Sequence, residues 1–101
     1  MKLWIDDIRP RPKDEGWSWC KSVKETQAAI LSLESRNIPI ELIDIDHDAG
    51  DYAFQGGDFI KILDWMERTN RNYPIRIHSM NPVGVQNIRT IIQRNGWREV
   101  H

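Results

Sequence analysis

A chain of 101 residues with 40% hydrophobic and 29% charged side chains has material for one modest core, which excludes a second domain and makes residues 1–101 a single unit. Its 14 basic and 15 acidic residues leave a formal charge of -1, so no global field draws it to a DNA duplex or to anionic lipid, and local patches must do any steering. The single cysteine, Cys20, excludes an intrachain disulfide and a Cys-rich zinc site and fits a reducing compartment; with no apolar run of roughly 20 residues and no signal-peptide pattern after Met1-Lys2, the expectation is a soluble cytoplasmic protein with no membrane partner.

In chain order, Leu3 and Ile5 alternate with Trp4 and Asp6, which predicts a short strand with an acidic end. The prolines of Ile8 to Gly16 remove donors and favour extended geometry, so that stretch is a loop, and Trp17 to Lys21 reads as a second, weaker strand. Ser22-Val23-Lys24-Glu25 has capping-box spacing and opens a helix expected over about Val23 to Arg36, with Val23, Ala29, Ile30, Leu31 and Leu33 on its buried side and Asn37 and Pro39 ending it. Ile40 to Ile45 is an apolar strand that stops in Asp46-His47-Asp48, followed by a Gly- and Asp-rich loop to Gly57. Helical spacing returns at Asp58, read as a cap, and brings Phe59, Ile62, Leu63 and Met66 onto one side before the helix ends near Asn70. Ile75 to Ile77 forms the next strand and leads into His78-Ser79. Asn81-Pro82 then caps a third helix to about Arg94 that buries Val85, Ile88, Ile91 and Ile92 and stops at Asn95-Gly96. Gly96 to His101 either adds a short last strand or frays. Strands alternating with helices predict right-handed crossovers and a small α/β fold of three layers, its mostly parallel sheet of four to five strands covered on both faces by three helices.

Three apolar strands therefore end in polar clusters, and ligands of parallel sheets gather outside the carboxyl ends of strands. If the strands lie side by side, Asp6, Asp7, Asp46, His47, Asp48, His78 and Ser79 share one rim. Two like charges ~4 Å apart at an effective dielectric of ~20 repel by about 4 kcal/mol, so these carboxylates need a divalent cation, protons, or arginines such as Arg9 and Arg76. A phosphate cannot approach them uncompensated, which favours a cation held by Asp6, Asp7, Asp46 and Asp48: Mg²⁺ or Mn²⁺ for oxygen ligands, with Zn²⁺ open if an imidazole joins. His47 and His78 are the candidates to divide acid and base roles, and Arg9, Ser79, Asn81 and Gly84 to hold phosphate oxygens. Trp17 and Trp19 read as core or edge cover, although a tryptophan exposed near the rim has the surface to stack on a base.

An acidic pair after the first strand (Asp6-Asp7), an aspartate after the third (Asp46) and a hydroxyl after the fourth (Ser79) resemble a response-regulator receiver domain, a flavodoxin-like fold. The wording Lys2-Leu3-Trp4-Ile5-Asp6-Asp7-Ile8-Arg9-Pro10, Asp46-His47-Asp48 and Ile75-Arg76-Ile77-His78-Ser79-Met80-Asn81-Pro82-Val83-Gly84 is closer to a divergent branch, the cyclic-phosphate processing receiver-like domains. That resemblance covers nearly the whole chain and implies a receiver-like fold that processes cyclic phosphate on a nucleotide or RNA end. Two departures from ordinary receivers, no helix between the first two strands and no lysine after a fifth strand, speak against phosphorelay at Asp46. Metal-assisted phosphodiester hydrolysis is the leading expectation. Capture of a cyclic or phosphorylated nucleotide without turnover comes second, and a degenerate receiver that docks a partner protein third.

Overall fold

Alternation along the strands sorts the side chains onto two unlike faces. The computed structural model describes residues 1–101 as β1 (Lys2–Ile5), β2 (Trp17–Cys20), α1 (Val23–Ser35), β3 (Leu42–Ile45), a 3₁₀ turn (Gly50–Tyr52), α2 (Ile60–Arg68), β4 (Ile75–Ile77) and α3 (Pro82–Asn95). The strands form one parallel sheet in the order β2-β1-β3-β4. Register sets Leu3, Ile43 and Ile75 in one row and Ile5, Cys20 and Ile45 in the next, and all of them join a single core with buried residues of all three helices. Trp4, Asp44 and Arg76 form the corresponding row on the opposite face.

This is the expected α/β receiver-like fold, with four parallel strands and three helices. The layer on the second face differs from expectation: the β1–β2 loop lies there, not a helix. Trp4 Nε1 donates to the Arg9 carbonyl at 2.8 Å, Lys2 Nζ meets Asp14 at 3.1 Å, and Trp17 Nε1 donates to the same Asp14 carboxylate. After α3 the chain returns to β4, where the Ile75 amide donates to the Arg98 carbonyl and the Val100 amide to Ile75, a single parallel bridge at the place of a fifth strand.

Local rules set the helix ends. Ser22 Oγ accepts from the Glu25 amide at 3.0 Å, and the Glu25 carboxylate reaches back to the Lys21 amide at 3.2 Å. Asn81 Oδ1 accepts from the Gly84 amide at 3.1 Å with Pro82 in the first turn, and Gly96 closes α3 in the left-handed conformation. Three expectations shift. Leu31 is exposed because it lies about 100° round α1 from the buried stripe of Val23, Thr26, Ile30 and Leu33, and Val85 is half-buried beside the α3 stripe of Gly84, Ile88, Ile91 and Ile92 for the same reason. Asp58 does not cap α2, which begins two residues later; its carboxylate accepts from the Ala49 amide at 3.1 Å and ties down the loop after β3.

Ser22 is fully buried, so Ser22→Ala removes a cap and orphans the Glu25 amide. The expected loss is about 1 kcal/mol, read as a lower urea midpoint with an unchanged slope.

Candidate functional site

Ladder hydrogen bonds continue one residue beyond the strands and fix the first polar residue after each. The Asp6 amide donates to the Cys20 carbonyl, the Asp46 amide to Ile5 and the His78 amide to Ile45. Asp6, Asp46 and His78 therefore stand side by side at the carboxyl edge of β1, β3 and β4.

Asp6 is 3% exposed and fully engaged: Oδ1 accepts from the Ile8 and Arg9 amides at 2.9 and 2.8 Å, and Oδ2 faces His78 Nε2 at 2.9 Å. The other ring nitrogen, Nδ1, lies 2.6 Å from Asp44 Oδ1. A singly protonated imidazole satisfies one such contact and a doubly protonated ring satisfies both. Arg76 holds the second Asp44 oxygen through Nε at 2.7 Å and its terminal nitrogen at 2.6 Å. Trp4 stacks on the His78 ring with centroids 3.9 Å apart and planes 2° from parallel, and Trp17 meets Trp4 edge-on. Asp44, 1% exposed, is thus the floor of this network. The Trp4 stack was invisible in the sequence because it depends on bringing β1 and β4 to either side of β3.

Asp6, Asp7 and Asp46 bring carboxylate oxygens within 4.8 Å of one another, and with Ile8 and Arg9 they line a cavity of about 250 Å³. Burial, followed by the charges of Asp6, Asp46 and Asp51, pushes the Asp7 carboxyl above the usual carboxylate range. One Asp46 oxygen accepts from the His47 amide at 2.7 Å. Three hard oxygen donors fit Mg²⁺ or Mn²⁺, and the neighbouring carboxylates add to burial in holding the Asp7 carboxyl above its usual range. The Arg9 guanidinium enters none of the chain's ion pairs.

Asp48 is not brought to that cluster. The chain bends at His47, and Asp48 turns to the imidazole, with Oδ1 2.7 Å from His47 Nδ1 and Asp58 completing a separate set. The His47 ring packs on Gly84, where an added Cβ would overlap it; Gly84 is needed as space for His47, and its amide is already held by Asn81. Ser79 Oγ accepts from the Asn81 amide at 3.2 Å, which leaves its own proton free to donate. The two histidines therefore belong to different networks. Gly50, at φ +53, makes comparable room for the Asp7 carboxylate. Cys20 takes no part: it is buried, and burial pushes its thiol up to about 11.

Gly84→Ala forces the His47 ring aside and should cost about 1–3 kcal/mol by overpacking, seen as a lower melting temperature together with a shifted His47 ring resonance. For Asp7 the neutral acid suits the folded state better than the carboxylate. That contribution is complete below the ordinary carboxylate pKa and is lost as pH rises through the raised value. In the presence of chelator Asp7→Asn should therefore melt higher than the parent chain at neutral pH, and the gap should close as the solution is acidified below the usual carboxylate range.

The family model described as "Cyclic-phosphate processing Receiver domain" matches residues 1–94. No curated protein and no solved structure matches the chain. With nearly all of its length matched, the chain belongs to the cyclic-phosphate processing receiver domain family.

Proposed function

We propose that this protein opens a cyclic phosphate diester on a nucleotide or RNA end by hydrolysis, at the cavity lined by Asp6, Asp7, Ile8, Arg9 and Asp46. The observation that carries the reading is three carboxylates converging beside an arginine that no acid neutralises. Such a cavity admits an anion only with a cation present, and Asp7 and Asp46, with Asp6 behind them, are the residues to hold Mg²⁺ or Mn²⁺. When bound, that ion supplies the positive charge that lets a phosphate lie against carboxylates and be attacked.

The chain's own residues would do the rest. Arg9, its backbone pinned to Asp6 and Trp4, holds a non-bridging phosphate oxygen through its guanidinium, and the Ser79 hydroxyl donates to another. In the step itself water forms a new P–O bond, a ring P–O bond breaks, the proton leaves the water and the ring oxygen gains one, for a net addition of one water. His47 is the residue to move that proton: Asp48 holds Nδ1 and leaves Nε2 without a partner. His78 has both nitrogens on carboxylates, so its part is to hold Asp6 in place; it is a positioning residue, not a proton carrier. That occupancy also favours a second reading, in which the site captures a cyclic or phosphorylated nucleotide without turnover.

Incubation with 2′,3′- and 3′,5′-cyclic nucleotides and RNA ends, with Mg²⁺ or Mn²⁺, separates the two. Hydrolysis should yield linear monophosphates, cease with chelator, and fall about 100-fold or more in His47→Ala and in Asp46→Asn. Recovery of every ligand intact, with binding retained, would leave capture as the function.

A further inference from the structure

Beside the acidic cavity lies a larger groove of about 450 Å³, lined by Pro10, Arg11, Pro12, Lys13 and Trp19. The two are consecutive along one loop, since Arg9 lines the first and Pro10 the second. They also share a wall: Trp19 Nε1 donates to the Asp6 carbonyl at 2.7 Å, which couples the groove's aromatic side to the first acid of the site.

The groove's charge is unanswered. No ion pair of the chain uses Arg9, Arg11, Lys13 or Lys21. Arg11 reaches only the Pro12 carbonyl, and the Lys21 ammonium stands 4.4 Å over the Trp19 ring. Asp14, the nearest acid along the loop, is taken by Lys2 and Trp17. In a chain of formal charge -1 this is a local positive strip, and prolines at alternate positions limit how far the loop can rearrange around it. Cations interleaved with an aromatic ring are what a single nucleic acid strand meets on a protein: charge for its phosphates, a flat surface for a base.

We propose that this groove seats the nucleotides preceding the cyclic phosphate, so that the substrate is a single-stranded RNA end and not a free mononucleotide. The inference rests on the cyclic-phosphate reading of the neighbouring cavity. Chemistry narrows it further. A cyclic phosphate closed on the last sugar of a chain needs a 2′-hydroxyl, hence RNA, whereas a 3′,5′-cyclic nucleotide has no attached chain for the groove to hold.

The test compares three probes on the full chain and on the Arg11→Ala/Lys13→Ala double variant: a labelled RNA tetranucleotide with a 2′,3′-cyclic phosphate end, the same strand with a 3′-hydroxyl, and a 2′,3′-cyclic mononucleotide. Both altered side chains are exposed and free of ion pairs, and an unchanged melting curve verifies the fold. The cyclic tetranucleotide should bind at least about tenfold more tightly than the mononucleotide. The double variant should erase that advantage, leave the mononucleotide unaffected, and flatten the salt dependence of tetranucleotide binding by ~1.4 in log-log slope, ~0.7 for each lost phosphate contact. Equal affinity for mononucleotide and tetranucleotide, or an equal loss of both in the variant, overturns the proposal. If the hydroxyl-ended strand depends on Arg11 and Lys13 while the cyclic end adds no affinity and is never opened, the groove stands and the cyclic-phosphate reading falls.

Discussion

A single imidazole shared by two buried aspartates is the contact that the rest of this molecule accommodates. Asp6 and Asp44 have almost no access to water, and an ionised carboxylate loses its hydration at a cost that only a cationic or strongly donating partner offsets. The His78 ring stands between them with one nitrogen on each. Arg76 adds a second partner to Asp44 from a position that is itself 38% exposed, so solvent screens that side and the interior depends on the ring. Trp4 fixes the plane of the imidazole by stacking, and its own indole donor is answered by the Arg9 carbonyl. Strand register, the path of the β1–β2 loop and the orientation of the first acid of the site are thereby tied to one another.

Topology explains why there is room for such a network. In a right-handed crossover, the direction of the step along the sheet decides which face receives the helix. The steps from β2 to β3, from β3 to β4 and from β4 to the C-terminal bridge all run one way, which stacks α1, α2 and α3 on the apolar face. Only the step from β1 to β2 runs the other way. A helix in that connection would lie over Trp4, Asp44 and Arg76 and would need them apolar. A proline-bearing loop takes its place, brings its own carbonyls and amides to that face, and so lets a sheet surface be aromatic and charged at once.

What the sequence discloses here is what short-range chemistry determines. Ser22 with Glu25, Asn81 with Pro82, and Asn95-Gly96 mark helix ends through contacts spanning at most four residues, and the apolar-to-acidic switch at Ile5-Asp6 and Ile45-Asp46 marks strand ends in the same local way. The convergence of Asp6, Asp7 and Asp46 followed because parallel strands carry their ends to one edge. The partition of the histidines did not follow, since it depends on pairings across 34 and 72 residues for His78 and on one missing Cβ, at Gly84, for His47. Asp48 went astray for a related reason: a count along the chain cannot register the bend at His47, which turns Asp48 away from its neighbour two residues back.

The same edge differs from that of an ordinary receiver in where its nitrogen groups come from. The segment at the place of a fifth strand brings Glu99, paired with Arg89 at 2.7 Å, and no lysine. The nitrogen groups near the acids come instead from elsewhere: the His78 ring on β4's extension, locked to Asp6, and Arg9 on the loop, unpaired. A locked ring holds a carboxylate in one orientation whether or not a ligand is present, while an unpaired guanidinium gains most when an anion arrives. Division of those duties between a half-buried ring and an exposed guanidinium keeps the acid cluster fixed while leaving one cation of the cavity unpaired, which is the arrangement the proposed phosphate site needs.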